Sequence, residues 1–467
     1  LSLQHCAFLL LFSMVFYSCS NSDSGNGETS SNKFTGADGE VKLMTVDPGH
    51  FHASLVQKYG YDQVDSVAYV YAPDGSDGLQ RHLNRIEQYN NRTEGPTNWV
   101  EEVYTGADFF DKMIREQPGN VVVLSGNNAK KTQYIKQSVD AGLNVLADKP
   151  MVIKPEKFPM LKEALSTAHE NDILLYDIMT ERFEITTLLQ RALSQDTDVF
   201  GSIVEGTPEN PAITKESVHH FFKYVSGNPL TRPGWFFDVD QQGEAIVDVS
   251  THLADLILWE TFPGKGIDTT EVEVVQADRW ATEMTPSEFK KVTQIEAYPE
   301  YLQEDVSQDS ILNVFANGSF VFTVNGIHGK VSVEWNYQAP EGAGDTHYSI
   351  MRGTKANLVI RQGEEQGYVP TLYVEPVDGN GGNDYEASLK SAVDEIAQEY
   401  PGVSMESSPN GWKIIIPDEH RVGHEAHFAQ VTEQYLQYLK DGEIPEWERK
   451  NILTKYYLTT QAYQASR

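Results

Sequence analysis

Cysteine is nearly absent from this chain: Cys6 and Cys19 are its two cysteines in 467 residues, and both lie within the first twenty positions. The body that follows therefore has no internal disulfide and no thiolate metal site. Basic residues are scarce as well, 36 against 68 acids, which leaves a formal net charge of −32. Most of such a surface repels a polyphosphate, so no nucleic-acid partner is expected. Long apolar runs are missing apart from one block, residues 7–17 (AFLLLFSMVFY). That block is short for a bilayer span but suits the core of a signal peptide. No repeat of solenoid period occurs.

The block leads into Ser18, Cys19 and a tract rich in Ser, Asn and Gly that runs to Lys33. An apolar core, a small residue, a cysteine and a flexible tether in this order resemble a bacterial lipoprotein signal. The resemblance implies lipidation at Cys19, an exported cell-envelope protein (periplasmic or outer-membrane associated), and no membrane contact except through that lipid. Residues 1–19 are then the signal and 20–40 the tether.

A chain of this length exceeds one ordinary core, and two domains are expected. Over residues 41–183, apolar runs at Val41–Val46, Val67–Tyr71, Val121–Leu124, Leu143–Ala147 and Ile173–Tyr176 read as strands. They alternate with helix-like segments at 53–58, 79–89, 107–116, 131–141 and 155–170. That alternation predicts an α/β fold with a Rossmann-like, doubly wound parallel sheet. Beyond Phe183 the texture changes to strand-like runs at 201–205, 271–275, 311–315, 320–324, 330–334, 348–352, 357–361 and 371–375. These predict an α+β domain, 184–467, with an open-faced antiparallel sheet and a helical C-terminal tail. Asn317-Gly318, between two of the runs, predicts a hairpin turn.

Two stretches carry chemistry. The strand-like run ending at Val145–Met151 (VLADKPM) delivers Asp148, Lys149 and Pro150 to the carboxyl edge of the sheet, where open α/β sheets bind ligands. The second, Gly243–Asp255, sets Asp248 and His252 four residues apart, on one face of a helix. An acid beside a histidine fixes its tautomer and raises its basicity, as a general base near neutral pH requires. A plain helix-surface ion pair is the structural alternative.

With Arg182-Phe183 as a crossover, Trp235 ahead of the second stretch and 350–355 as a late hairpin, the pattern resembles the Gfo/Idh/MocA family of oxidoreductases. It also resembles a secreted branch with its own C-terminal extension. The resemblance implies NAD or NADP as cofactor, a small carbohydrate as substrate and a homo-oligomer formed through the open sheet. It places Lys149 between nicotinamide and substrate, gives His252 the hydroxyl proton, and lets Asp248 orient His252 or bind a sugar hydroxyl. Arg182, His220, Trp235, Asp248 and His252 would contact substrate. Asp47, Gly49, His50, Phe51, His52, Asp74, Ser125, Gly126, Asn127, Asp148 and Lys149 would line the cofactor. Where the family carries Gly-x-Gly-x-x-Gly, this chain has Asp47, Gly49 and His52, so only the middle glycine remains.

His420, His424 and His427 are spaced for a metal, a substrate-lining face or an ordinary helix terminus. The last is expected, and no metal. Three functions follow. The first is NAD(P)-dependent oxidation or reduction at a sugar hydroxyl. The second is glycoside cleavage by transient oxidation and elimination. The third is a non-catalytic sugar-binding lipoprotein.

Overall fold

The computed structural model describes residues 34–225, 228–340, 343–377 and 381–467. Cys19 and the segment read as its signal lie outside them. Six parallel strands, β1 (Leu43–Val46), β2 (Val67–Ala72), β3 (Val100–Thr105), β4 (Val121–Leu124), β5 (Asn144–Asp148) and β6 (Leu175–Ile178), form a sheet in the order β3-β2-β1-β4-β5-β6. The helices between them are α1 (His52–Leu55), α2 (Asp77–Asn91), α3 (Phe109–Glu116), α4 (Lys131–Asp140) and α5 (Phe158–Glu170). This is the doubly wound order, with its switch point between β1 and β4. β1 and β4 are buried along their whole length, which is why they read as unbroken apolar runs. β3 is an exposed edge strand of sequence VEEVYT, and its charges hid it from the sequence reading.

The helix expected at 53–58 is a single turn, α1, of four residues. Its continuation is diverted because the next carbonyls are taken by side chains. Trp99 Nε1 donates to Gln57 O at 2.7 Å, and Arg92 Nη2 to Lys58 O at 2.7 Å.

A second sheet has nine strands. They are β7 (Ile213–Phe222), β10 (Val272–Met284), β11 (Leu312–Val324), β12 (Ile327–Gln338), β13 (Thr346–Arg352), β14 (Ala356–Arg361), β15 (Thr371–Pro376), β16 (Ser404–Ser408) and β17 (Gly411–Ile415). Their order is β10-β11-β12-β7-β13-β14-β15-β17-β16, antiparallel throughout except where β12 runs parallel to β7. A small ribbon, β8 (Tyr224–Val225) with β9 (Asn228–Pro229), follows β7. Against this sheet lie α6 (Ile185–Ser194), α7 (Ser250–Thr261), α8 (Pro286–Thr293) and α9 (Asn383–Glu399).

Two local expectations fail here. The run 201–205 forms only an isolated bridge, Ile203 with Gly353. Asn317-Gly318 is no turn: β11 continues through it, with Asn317 Nδ2 bonded to Thr282 Oγ1 at 2.7 Å and Ile246 filling the space beside Gly318. The turn falls one Asn-Gly pair later, at Asn325 (φ 51°) and Gly326 (φ 83°), joining Val324 to its partner Ile327. Positive φ at both positions is what a two-residue hairpin needs.

The tail closes back on the first half. In α10 (His424–Asp441), Phe428, Val431, Tyr435, Leu436 and Leu439 join the core of the parallel sheet. α11 (Glu446–Ala465) gives Ile452 and Tyr456 to that core and Leu458, Ala462 and Tyr463 to the other. The two halves divided at 183 in sequence are therefore stitched by the last two helices. No helix among the described residues is long and apolar enough to cross a membrane.

Buried charges hold the seam. Lys455, fully buried, places Nζ 2.9 Å from Asp177 of β6 and 2.8 Å from Asp255 of α7. Arg182 grips Asp255 with two hydrogen bonds of 2.6 Å and reaches Glu448 of α11 at 2.7 Å. Removing one partner of such a network strands the rest in a low-dielectric interior. Lys455→Ala is expected to lower the unfolding free energy by about 3–5 kcal/mol in urea titration. Lys390→Ala, which breaks an exposed pair with Asp394, should change it by less than about 0.5 kcal/mol.

Candidate active site

The carboxyl ends of β1, β4 and β5 meet the start of α7 from the second half. The loop after β1 is tightly folded. Asp47 takes φ 44°, Gly49 N–H donates to Asp47 O at 2.7 Å, and His50 N–H donates to Ser125 O at 3.3 Å. Gly126 is required opposite, since a Cβ there would stand 2.3 Å from Asp47 O. The amides that a glycine-rich loop offers to a pyrophosphate are thus bonded within the protein at positions 49 and 50. Burial raises the Asp47 carboxyl, with Lys130 opposing. Asp74 is exposed at the carboxyl end of β2.

His50 and His52 turn inward. His52 Nδ1 lies 2.9 Å from Asp148 Oδ2, and His50 Nδ1 lies 3.8 Å from the same oxygen. Ser125 Oγ donates to that oxygen too, at 2.9 Å, and Lys131 Nζ donates to the Asp148 carbonyl at 2.9 Å. Burial alone would raise the Asp148 carboxyl, but His52 and Lys131 take it well below the usual range. Burial, opposed by Asp148, brings Lys131 down to about 8. Phe51 packs its ring against both imidazoles, 4.6 Å from that of His50 and 4.4 Å from that of His52. The loop after β4 is tied to the second half: Asn127 Nδ2 donates to Gln241 Oε1 at 2.6 Å, and Asn128 N–H to Gln241 O at 2.9 Å.

Lys149, next after β5, donates from Nζ to Asp248 Oδ1 at 2.6 Å, and Gln242 Nε2 holds the other oxygen at 2.9 Å. Burial would lower this ammonium, yet Asp248 and Asp148 more than offset it and its pKa is raised. Asp248 sits in the turn before α7, not on the helix, so its carboxylate serves Lys149 instead of His252. The expected gain in His252 basicity is therefore absent. Burial, followed by the Lys149 charge, lowers His252 to about 4. Its Nδ1 is buried and has no hydrogen-bond partner among the described residues.

Three other expected positions are placed differently from one another. Arg182 is buried in the ion network of the seam, so it is committed to Asp255 and Glu448 and not to a substrate. His220 is buried, with its N–H 3.1 Å and its Nδ1 3.3 Å from Asp345. Trp235 stands over the first loop, its ring 3.2 Å from where a side chain at Gly49 would begin. Sequence reasoning missed Glu181, beside Arg182, which lines a pocket with His347, Lys215 and Leu253. Burial raises this carboxyl, but His347, His252, His424 and His427 outweigh it and leave it at about 2. Its signal was position: it follows β6 as Lys149 follows β5. The C-terminal histidines do not act as a unit. His420 Nε2 bonds Pro401 O at 2.9 Å, while the His424 ring lies 5.0 Å from that of His52.

A histidine depressed in the fold binds its proton more readily when unfolded, so its contribution is present above pH 6.5 and lost as pH falls toward about 4. His252→Asn should therefore flatten the acid limb of the stability profile by about 3 kcal/mol. Urea titrations of both proteins at pH 7 and pH 4 measure it; equal losses in the two would refute a neutral, buried imidazole.

Comparison with known proteins bears on this geometry. The family described as "Putative oxidoreductase C terminal domain" matches residues 189–467. A crystal structure of a "putative oxidoreductase" from Parabacteroides merdae is 54% identical, covers 93% of this chain and 99% of its own, and superposes with a TM-score of 0.91. A levoglucosan dehydrogenase, solved with NADH and levoglucosan, is 11% identical with a TM-score of 0.56 over 91% of this chain and 97% of its own. A 3-ketoreductase from Actinomadura kijaniata, solved with NADP and TDP-benzene, is 13% identical with a TM-score of 0.52 over 90% and 95%. At those low identities the likeness concerns the fold. Among curated proteins no match is found. The chain belongs to the oxidoreductase family of that C-terminal domain.

Proposed function

We propose that this oxidoreductase acts, with NAD or NADP, on a hydroxyl of a sugar or sugar derivative, and that Lys149, Asp248 and His252 form its reacting centre. The observation that carries this reading is the meeting of the two halves. An ammonium from the end of β5 is held 2.6 Å from a carboxylate of the second half, one turn before a neutral imidazole with an unpartnered nitrogen. The bound NADH and levoglucosan of the dehydrogenase, and the bound NADP of the ketoreductase, support the choice of cofactor and substrate class.

The donor chemistry fits a nicotinamide at its reacting end, where the Lys149 ammonium acts on the His252 imidazole. Toward the phosphate end the chain has a narrow notch at the switch point, lined by Asp47, Ser125, Gly126, Asn127, Lys131 and Tyr134. Bound beside Lys149, the nicotinamide supplies the hydride acceptor or donor. The protein does the rest. Lys149 stabilises negative charge at the reacting oxygen, and Asp248 keeps it protonated. His252 accepts the hydroxyl proton, and the carboxylate of Glu181, which acts on His252 through space, stabilises the imidazolium that forms.

A second reading, glycoside cleavage through transient oxidation, is favoured by Glu181. An elimination needs one more acid or base than simple oxidation does, and this carboxylate supplies it. Release of nitrophenol from a nitrophenyl glycoside with no net change in nicotinamide absorbance separates the two reactions.

Lys149→Ala is expected to lower kcat by about 10²–10³-fold, the usual scale for one lost charge-stabilising donor. Because it leaves the buried Asp248 carboxylate unpaired, it should lower stability as well, so turnover is compared on variant protein shown by circular dichroism to be folded. Wild-type turnover in this variant would sink the proposed centre. Export with a lipid on Cys19 belongs to the same proposal, and rests on the apolar block at 7–17 and the cysteine that follows it. Metabolic labelling with an alkyne fatty acid should mark the protein, and Cys19→Ala should abolish the mark; labelling that persists in the variant rejects the anchor.

A further inference from the structure

We propose that His50, His52 and Asp148 form a binding site for one divalent transition-metal ion, of which zinc suits the donors best. The site rests on three side chains that the proposed proton transfer does not use, and its test reads metal binding and not turnover.

Their ligand atoms lie within 4.8 Å of one another. In a tetrahedral site with bonds of about 2.0–2.1 Å, neighbouring ligand atoms stand about 3.3 Å apart. The distances here, 2.9 Å from Asp148 Oδ2 to His52 Nδ1 and 3.8 Å to His50 Nδ1, straddle that value. His50 Nδ1 lies 3.8 Å from the same oxygen, too far for a hydrogen bond, and accepts only a long one of 3.4 Å from the His52 N–H. An ion drawn in among the three ligand atoms would replace that long contact and hold both imidazoles to the carboxylate.

The scaffold is rigid where a metal site needs it. His50 is anchored through its N–H to Ser125 O at 3.3 Å, and through its carbonyl to Ala53 N–H at 3.2 Å. The rings of His50 and His52 meet edge to face at 4.1 Å. Asp148 closes strand β5, and its orientation is set by Ser125 Oγ at 2.9 Å, the kind of outer-shell contact that ligating carboxylates carry. Two nitrogens and one oxygen leave a tetrahedral position open, for water or for His424, whose ring lies 5.0 Å from that of His52. This donor set, free of thiolate, suits zinc, cobalt or nickel better than calcium or magnesium. Two ammonium groups are near. Lys149 is neutralised by Asp248, and the hydrogen bond of Lys131 goes to the Asp148 carbonyl and leaves the carboxylate oxygens to the imidazoles and Ser125.

The test is cobalt titration of the chelator-treated protein, followed by visible absorption, with metal content of the untreated protein measured by mass spectrometry. One Co²⁺ per chain, with tetrahedral d–d bands displaced by zinc, is expected. Ser125→Ala should weaken binding about 10–100-fold, and His50→Ala or Asp148→Asn should abolish the bands. His50, with 24% of its side chain exposed, tolerates replacement best, so circular dichroism on His50→Ala secures a folded variant for the decision. Absence of bands and of stoichiometric metal in the wild type overturns the proposal. So do bands that persist unchanged in folded His50→Ala, which would put the ion elsewhere, such as at His424 and His427.

Discussion

The structure depends on a set of charges removed from water at the seam of its two halves. Asp177 belongs to the parallel sheet, Asp255 to the helix that enters the second half, and Lys455 and Glu448 to the last helix; Arg182 joins them. A hydrophobic seam would bury area as well, but it would tolerate sliding. Ion pairs with hydrogen bonds of 2.6–2.8 Å fix angle and register, because any displacement leaves a charge unpaired at a cost of several kcal/mol. The register matters upstream of Asp255, where Asp248, seven residues earlier in the chain, meets Lys149 from the other half.

Burial then decides how those groups behave. The same low dielectric that makes the seam strong holds His252 down to about 4 and His424 to about 3, and Lys149 stays charged because Asp248 and Asp148 are beside it. The crevice therefore has a fixed pattern: a permanent ammonium, a neutral imidazole and a carboxylate at Glu181. A proton moving onto the imidazole would find compensation already in place, so little reorganisation accompanies the step.

Much of this was legible in the sequence, and the misses have physical causes. β5 and its Asp-Lys-Pro ending were readable because a strand buried on both faces is an apolar run, and its end is marked by the first charges. The pairing of Lys149 with the Asp248 stretch followed from family resemblance, since no periodicity links residues 99 apart. Asn317-Gly318 misled because turn chemistry is local, while Asn317 is held by cross-strand partners that only the folded sheet provides. Arg182, expected at the substrate, lies in the seam with Asp255 and Glu448, while its neighbour Glu181, which carried no expectation, lines a pocket; sequence does not say which of two adjacent charges faces the seam.

The altered first loop is explained by what stands opposite it. The usual glycines leave room and free amides for a pyrophosphate. Here Asp47 and His52 fill those places, the amides of Gly49 and His50 are bonded internally, and the imidazoles turn to a carboxylate at the end of β5. The aspartate at position 148 is shorter by one methylene than a glutamate would be, so its oxygen stays close to the strand. Two histidines on a tight loop are long enough to reach it there. Where a glycine-rich turn presents backbone to an anion, this carboxyl edge carries two imidazoles and a carboxylate, His50, His52 and Asp148, with ligand atoms within 4.8 Å of one another.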